Sequence, residues 1–120
     1  MKVAFTTSGQ NLDAPMDARF GRATGFLVYD TDSDTFEPVD NQQSVNTAQG
    51  AGIQATEAIV RHGANCLVTG HCGPNAFRAL SAAGIRIYTT EAATVAEALE
   101  AFRAGTLATI NSADVEGHWS

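Results

Sequence analysis

An imidazole and a thiol stand side by side in a glycine-rich turn, between an apolar strand pattern and the start of a helical one. Such a turn presents backbone N–H groups and the positive end of a helix dipole to whatever lies above it. Imidazole nitrogen and thiolate sulfur are also ligands that soft metals prefer. The pattern predicts an anionic, metal-containing ligand held by Gly70, His71, Cys72, Gly73 and Asn75, with Cys72 or His71 as an optional direct metal ligand. A purely electrostatic cradle, without ligation by the protein, is the alternative that stays open.

The loop after the first predicted strand supplies positive charge next to an aromatic ring. Arg19 and Arg22 flank Phe20 and Gly21, which would place two forked sets of N–H donors beside an exposed apolar platform. We therefore expect Arg19, Phe20 and Arg22 to contact the ligand. An alternative that stays open is a loop held together by Arg–Asp pairs, because such pairs are common on protein surfaces.

A third segment offers close backbone approach rather than charge. Asn46 is followed by the run Gly50, Ala51 and Gly52, in which backbone amides would come near a ligand. Alone this signal is weak, because the segment lacks the lysine of a phosphate-binding loop and the three-glycine dinucleotide fingerprint. We expect these four residues to complete the binding site.

The composition limits the class of protein. The chain has 120 residues, with seven Lys and Arg against thirteen Asp and Glu and a formal net charge of −6. A field of this sign repels nucleic acid and anionic membranes, so an anion must be held by local groups. No apolar run reaches the roughly 20 residues that span a bilayer, and no signal peptide is visible, so we expect a cytoplasmic protein.

The two cysteines have different expected roles. Cys66 lies inside an apolar strand pattern and is expected to be a core residue, whereas Cys72 lies in the turn. The intervening extended chain would hold the two thiols too far apart for a disulfide. Two thiols also fall short of a closed four-thiolate zinc or iron–sulfur site.

Strand and helix patterns alternate along the chain in the order β-β-β-α-β-α-β-α. The last helix is the best marked, because Thr94 and Glu97 have the spacing of a capping box and Gly105 provides a stop. We expect strands at residues 2–6, 26–30, 35–40, 65–69 and 85–89, and helices at 52–62, 74–83 and 95–104.

This order of elements brings the motifs to one place. If the first three strands form an antiparallel meander, helical crossovers make strands four and five parallel to strand one. The loops after strands one, three, four and five then share one edge, where open α/β sheets bind ligands. We expect one α/β domain over residues 1–105 and a C-terminal tail over residues 106–120, which includes His118 and Trp119.

The segments 17–22, 50–52 and 69–77, in this order, resemble motifs of the dinitrogenase iron–molybdenum cofactor biosynthesis family. This family comprises the NifX and NifB C-terminal-like proteins and includes the molybdenum–copper orange protein group. The resemblance covers about the first 105 residues. It implies a three-layer, ribonuclease H-like α/β fold with sheet order 3-2-1-4-5, helices on both faces, and a role in binding, storing or transferring metal–sulfur clusters.

Together, the residues and the resemblance predict a non-enzymatic carrier of a preformed anionic metal–sulfur cluster that contains molybdenum with copper or iron. Donor and acceptor proteins are its expected partners. Cluster synthesis is not expected, because the chain lacks the radical-enzyme cysteine motif of the larger fused members. Two alternatives stay open: a small enzyme with Cys72 as nucleophile and His71 beside it, and a phosphate- or nucleotide-binding regulatory module.

Overall fold

The structure is a computed structural model that describes residues 1–20, 23–41 and 51–110. The predicted strands and helices occur in the expected order, with bounds that differ from the sequence prediction by at most one residue at either end. The strands are β1 (Lys2–Thr7), β2 (Gly25–Asp30), β3 (Thr35–Asp40), β4 (Cys66–Thr69), β5 (Arg86–Thr89) and β6 (Ala108–Thr109). The helices are α1 (Ala51–Arg61), α2 (Pro74–Ala82) and α3 (Val95–Ala104).

The strands form one mixed sheet in the order β3-β2-β1-β4-β5-β6. β1, β2 and β3 are an antiparallel meander, and β4 and β5 run parallel to β1. The predicted fold class and the order of the first five strands are confirmed. Strand β6, which pairs antiparallel with β5 beyond residue 105, is an addition to the predicted sheet, because two exposed residues carry no readable alternation.

Each face of the sheet is covered by different helices because side chains alternate along a strand. Ala4 of β1 faces α1 and α2, whose buried contributions include Ile59 and Leu80. Val3 and Phe5 of the same strand face α3. The result is a three-layer domain in which α1 and α2 cover one face of the sheet and α3 covers the other.

Helices α1, α2 and α3 begin at the same edge of the sheet, which we call the carboxyl edge because β1, β4 and β5 end there. The chain leaves β4 towards the face covered by α2, and leaves β5 towards the face covered by α3. This divergence makes a crevice between the ends of β4 and β5, the position at which open α/β sheets bind ligands.

Candidate functional site at the carboxyl edge

The first loop, residues 8–20, is fastened to the carboxyl edge by main-chain and hydroxyl hydrogen bonds. Asp17 N donates to the Thr6 carbonyl at 2.8 Å, and Thr7 Oγ1 donates to the Pro15 carbonyl at 2.7 Å. Pro15 also forms an isolated antiparallel bridge with Thr94, immediately before α3. The loop predicted from its polar composition is therefore held in place on the sheet edge.

Two of the predicted site residues, Arg19 and His71, are brought together by this fastening. They form an isolated parallel β-bridge, and His71 N donates to the Ala18 carbonyl at 2.6 Å. Gly70 permits the contact, because a Cβ built there would lie 2.8 Å from Ala18 Cα and 3.0 Å from its carbonyl oxygen. A side chain at residue 70 would push the two segments apart.

Arg19 is held at its backbone and presents its guanidinium to solvent. Its N–H donates to Asp17 Oδ1 at 2.9 Å, and its Nε lies 3.6 Å from the same oxygen. The Arg19 side chain is nevertheless 66% exposed. The Arg–Asp pairing that the sequence left as an alternative is present, and it leaves most guanidinium donors facing outward. The second arginine, Arg22, lies outside the described residues.

Phe20 does not form the exposed platform expected from the sequence. Its ring is 2% exposed and packs at a tilt against Phe26, with the ring centroids 5.5 Å apart. The prediction of an exposed ring was wrong because the loop turns this large apolar side chain into the core beneath α1 and α2. Phe20 therefore anchors the loop from below.

His71 and Cys72 point to opposite sides of the turn. His71 is exposed, whereas Cys72 is fully buried among core residues that include Phe20 and Ala76. The Cys72 Sγ lies 3.8 Å from the Gly73 carbonyl oxygen. The expectation of a ligand-facing thiol is therefore corrected: adjacent residues in an extended turn alternate sides, and only one of the pair can face outward.

Gly52 has a packing role that the sequence analysis did not foresee. A Cβ at this position would lie 2.7 Å from Ala76 Cβ and 2.9 Å from Ala76 Cα, so the glycine lets the start of α1 lie against the start of α2. Ala51 is the first residue of α1. Asn46 and Gly50 lie outside the described residues. The close backbone approach predicted for this motif is thus made to a neighbouring helix.

The start of α2 has no side-chain cap and no acidic residue. Gly73 is the N-cap, Pro74 occupies the first turn, and the first turn contains no Asp or Glu. Asn75 is exposed, and its Oδ1 accepts from Arg78 Nη2 at 2.6 Å, which leaves the amide N–H donors facing away from Arg78. Arg78 was not among the predicted site residues, although its spacing of three residues from Asn75 on a helix was a usable signal.

A cleft of about 610 Å³ opens between the first loop and the ends of β4 and β5. Its polar lining comprises His71, Asp17, Thr89, Thr90 and Glu91. Two carboxylates make this side of His71 unfavourable for an anion. The positive groups near His71 are the exposed Arg19 guanidinium, on the residue that forms the β-bridge with His71, and the start of α2, which follows His71 in the chain.

The second cysteine behaves as the sequence predicted. Cys66 is 4% exposed in the core beneath α3, and burial raises the pKa of its thiol. Neither cysteine forms a disulfide, which confirms the prediction drawn from their spacing. Within the part of the chain that the structure describes, no three His, Cys, Asp or Glu side chains group as a metal site.

None of the described helices is both long and apolar enough to cross a membrane.

Comparison with known proteins identifies close relatives of this domain. A family model described as dinitrogenase iron-molybdenum cofactor matches residues 1–105. The apo orange protein from Desulfovibrio gigas is 40% identical, with 94% of this chain and 95% of that chain covered and a TM-score of 0.91. A candidate NifB protein from Thermotoga, assigned to the DUF35 family, is 36% identical over 97% of this chain and 98% of that chain, with a TM-score of 0.85.

A more distant structural match supports the fold only. A candidate dinitrogenase from Methanocaldococcus jannaschii is 21% identical, with 93% of this chain and 96% of that chain covered and a TM-score of 0.70. No curated protein sequence matches the chain.

Proposed function

Because the chain belongs to the dinitrogenase iron-molybdenum cofactor family, we propose that it binds a preformed anionic metal–sulfur cluster at its carboxyl edge and carries it between partners. The family resemblance predicted from the sequence is confirmed. The cargo is a cluster of molybdenum with copper or iron, as the relationship to the iron-molybdenum cofactor family and the orange protein suggests. Donor and acceptor proteins complete the proposed pathway of transfer.

The observation that carries this proposal is the start of α2, which follows the Arg19–His71 bridge and has a glycine at its N-cap. A helix start has N–H groups without intrahelical partners and a partial positive charge. A side-chain oxygen at the N-cap can accept a hydrogen bond from one of these N–H groups, and an acidic residue in the first turn can offset the positive charge. Here the N-cap is Gly73 and no acid is present, so an external anion would supply the missing negative charge.

Local charge makes the site favourable within an acidic protein. The formal charge of the whole chain is −6, yet the exposed Arg19 guanidinium, the His71 imidazole and the α2 terminus converge at one end of the sheet. Charges that are separated by more than about 10 Å are largely screened at 0.1 M salt, so nearby groups dominate the potential felt by a bound anion. Arg19 contributes forked donors suited to several acceptor atoms at once.

The proposed contact residues on the described part of the chain are Arg19, Gly70, His71, Gly73 and Asn75. Of the two metal ligands expected from the sequence, His71 is the one that faces outward. Ligation by Cys72 would require its buried sulfur to turn out of the core, and we therefore assign it a packing role. Arg22, Asn46 and Gly50 stay proposed contacts, while Phe20, Ala51 and Gly52 would support the site from the core and from α1.

The test is to add a preformed molybdenum–copper sulfide cluster, and separately an iron–sulfur cluster, to the purified apo-protein. After gel filtration, metal and sulfide are quantified in the protein fraction and its visible absorption is recorded. We expect one of the clusters to elute with the protein at a fixed ratio and with an intact charge-transfer spectrum. Elution of both clusters apart from the protein would contradict the proposal.

The same experiment addresses the two alternative functions. Inorganic phosphate is added as a competitor, because an uncapped helix start also suits phosphate. We expect phosphate to displace the cluster only at much higher concentration. Displacement at equal concentration would favour a phosphate-binding module instead. The burial of Cys72 argues against a nucleophilic enzyme, because substrate would have no access to the sulfur.

A further inference from the structure

We infer that Asp17 is a positioning residue for cluster binding: it holds Arg19 next to His71, although its own negative charge repels an anion. The inference rests on the proposed function, since it names a residue that prepares the same site. Asp17 lies two positions before Arg19, and its side chain is only 16% exposed. Its role is to hold the loop conformation, and it makes no contact with the cluster itself.

The backbone of Asp17 is held in place by hydrogen bonds at both its N–H and its carbonyl group. Its N–H donates to the Thr6 carbonyl at 2.8 Å, and its own carbonyl accepts a hydrogen bond from Thr6 Oγ1. The same Thr6 hydroxyl lies 3.1 Å from Thr69 Oγ1 at the end of β4. These bonds fix the position of Asp17 relative to β1 and β4, the two strands whose ends support the site.

From this fixed point the carboxylate determines where Arg19 lies. Asp17 Oδ1 accepts the Arg19 N–H at 2.9 Å and lies 3.6 Å from its Nε. The intervening residue, Ala18, accepts the His71 N–H, so the turn and the Arg19–His71 bridge are parts of one arrangement. A free arginine side chain would lose considerable rotamer entropy on binding, and a prepositioned one loses less.

Charge alone and positioning predict opposite signs for the removal of Asp17. If only charge mattered, loss of a carboxylate near an anion site would strengthen binding. If Asp17 acts by positioning, loss of the acceptor would weaken binding in spite of the more favourable charge. Asp17→Asn separates the two effects, because it keeps an acceptor oxygen for the Arg19 N–H and removes the charge.

The matched control is Asp13→Ala, which removes the same charge from the same loop. Asp13 is exposed, and its carboxylate makes no hydrogen bond or ion pair with the described residues. Affinity for the preformed molybdenum–copper sulfide cluster is measured for each variant at low and moderate salt. Asp17→Ala should weaken binding by at least about threefold and flatten its salt dependence to that of Arg19→Gln. Asp17→Asn should restore binding, and Asp13→Ala should leave it equal or slightly stronger.

A double-mutant cycle decides whether Asp17 acts through Arg19. In the Arg19→Gln background, Asp17→Ala should cause no further loss of cluster affinity, and removal of the carboxylate should leave the affinity equal or slightly higher. An equal factor in both backgrounds would overturn the inference, as would stronger binding by all the aspartate variants.

Hydrogen exchange tests the same claim without a cluster, so the outcome does not depend on the proposed function. The amides of Arg19 and His71 should exchange faster in Asp17→Ala than in Asp17→Asn, while the core of β1 keeps its protection. Unchanged exchange at both amides would overturn the positioning role. Failure of the wild-type protein to bind any cluster would instead overturn the proposed function.

Discussion

Helices α2 and α3 begin at the same edge of the sheet, each after a parallel strand, but of the two only α3 has a side-chain cap from its own N-cap residue. Thr94 Oγ1 accepts the Glu97 N–H at 3.2 Å, and Glu97 Oε1 accepts the Ala93 N–H at 3.1 Å. α2 has Gly73 at the corresponding cap and no acid in its first turn.

The opposite ends of the two helices differ in the same way. The last turn of α3 carries Arg103, which complements the helix dipole, whereas the last turn of α2 has no basic residue. α3 is thus completed by its own side chains at both ends. The difference between α2 and α3 shows that the fold does not require a glycine N-cap and an acid-free first turn at this edge, because α3 begins there with a capping box.

The largest effect is expected from Gly70→Ala, which breaks the contact between the first loop and the turn before α2. The added Cβ would lie 2.8 Å from Ala18 Cα, and the backbone there cannot yield as a flexible side chain would. We expect a loss of about 1–3 kcal/mol in the free energy of unfolding, together with a large loss of cluster affinity. Chemical denaturation and cluster titration measure the two effects.

Gly84→Ala is the matched control for this substitution. Gly84 has a φ of +78°, so alanine is strained there by about 1–2 kcal/mol, but nothing lies within 4 Å of the new Cβ. It should lower stability by a similar amount and leave cluster affinity intact. Equal losses of affinity in both variants would mean that the Gly70 effect reflects general instability.

The cysteines test whether the core beneath α2 differs from the core beneath α3. Cys72→Ser and Cys66→Ser each place a hydroxyl among apolar neighbours, and each should lower stability by about 1–3 kcal/mol. Because both thiols are buried, neither change should alter the cluster's charge-transfer absorption. X-ray absorption would reveal a sulfur ligand from the protein if Cys72 turned outward, and its loss in Cys72→Ser would contradict the packing role.

Asn75→Asp would give α2 the acid that α3 already has. The new carboxylate should stabilise α2 by about 0.3–1 kcal/mol through the helix dipole, and should weaken cluster binding by roughly tenfold through repulsion. The mirror change, Glu97→Gln in α3, should lower stability slightly and leave binding unchanged. Thermal melts and cluster titrations of both variants make the comparison, which would fail if Asn75→Asp bound the cluster as tightly as the wild type.

The smallest effect is expected at the far end of α3. The Asp34 carboxylate accepts hydrogen bonds from the Tyr29 hydroxyl and from Arg103. Both bonds lower the pKa of Asp34, and the bond from Tyr29 has the larger effect. A carboxyl group with a lowered pKa adds stability above its unfolded pKa of about 3.9, and that contribution disappears as pH falls through the folded pKa. Stability between pH 5 and pH 2 should therefore fall less steeply in Asp34→Asn. An identical pH dependence in the variant would show that ionised Asp34 does not stabilise the fold in this way.

The sequence predicts the frame of the site better than the direction of its side chains. The capping box at Thr94 and the strand-to-helix turn at residues 70–74 both follow local rules, and both lie where expected. The inward direction of Phe20 and Cys72 depends on neighbours from three separate segments, which no local pattern encodes.

Gly52 illustrates a second limit. Close approach to a ligand and close packing against Ala76 impose the same requirement, the absence of a Cβ, so the residue type cannot distinguish them.

Chemical-shift mapping of the apo-protein during titration with a preformed molybdenum–copper sulfide cluster tests the central claim most directly. The claim predicts saturable shifts in the amides of Gly73, Asn75 and Ala76 and in those of Arg19 and His71. The amides at the start of α3, including that of Glu97, should stay unshifted. Shifts that centre on α3, or on the acidic cleft beside Glu91, would contradict the account.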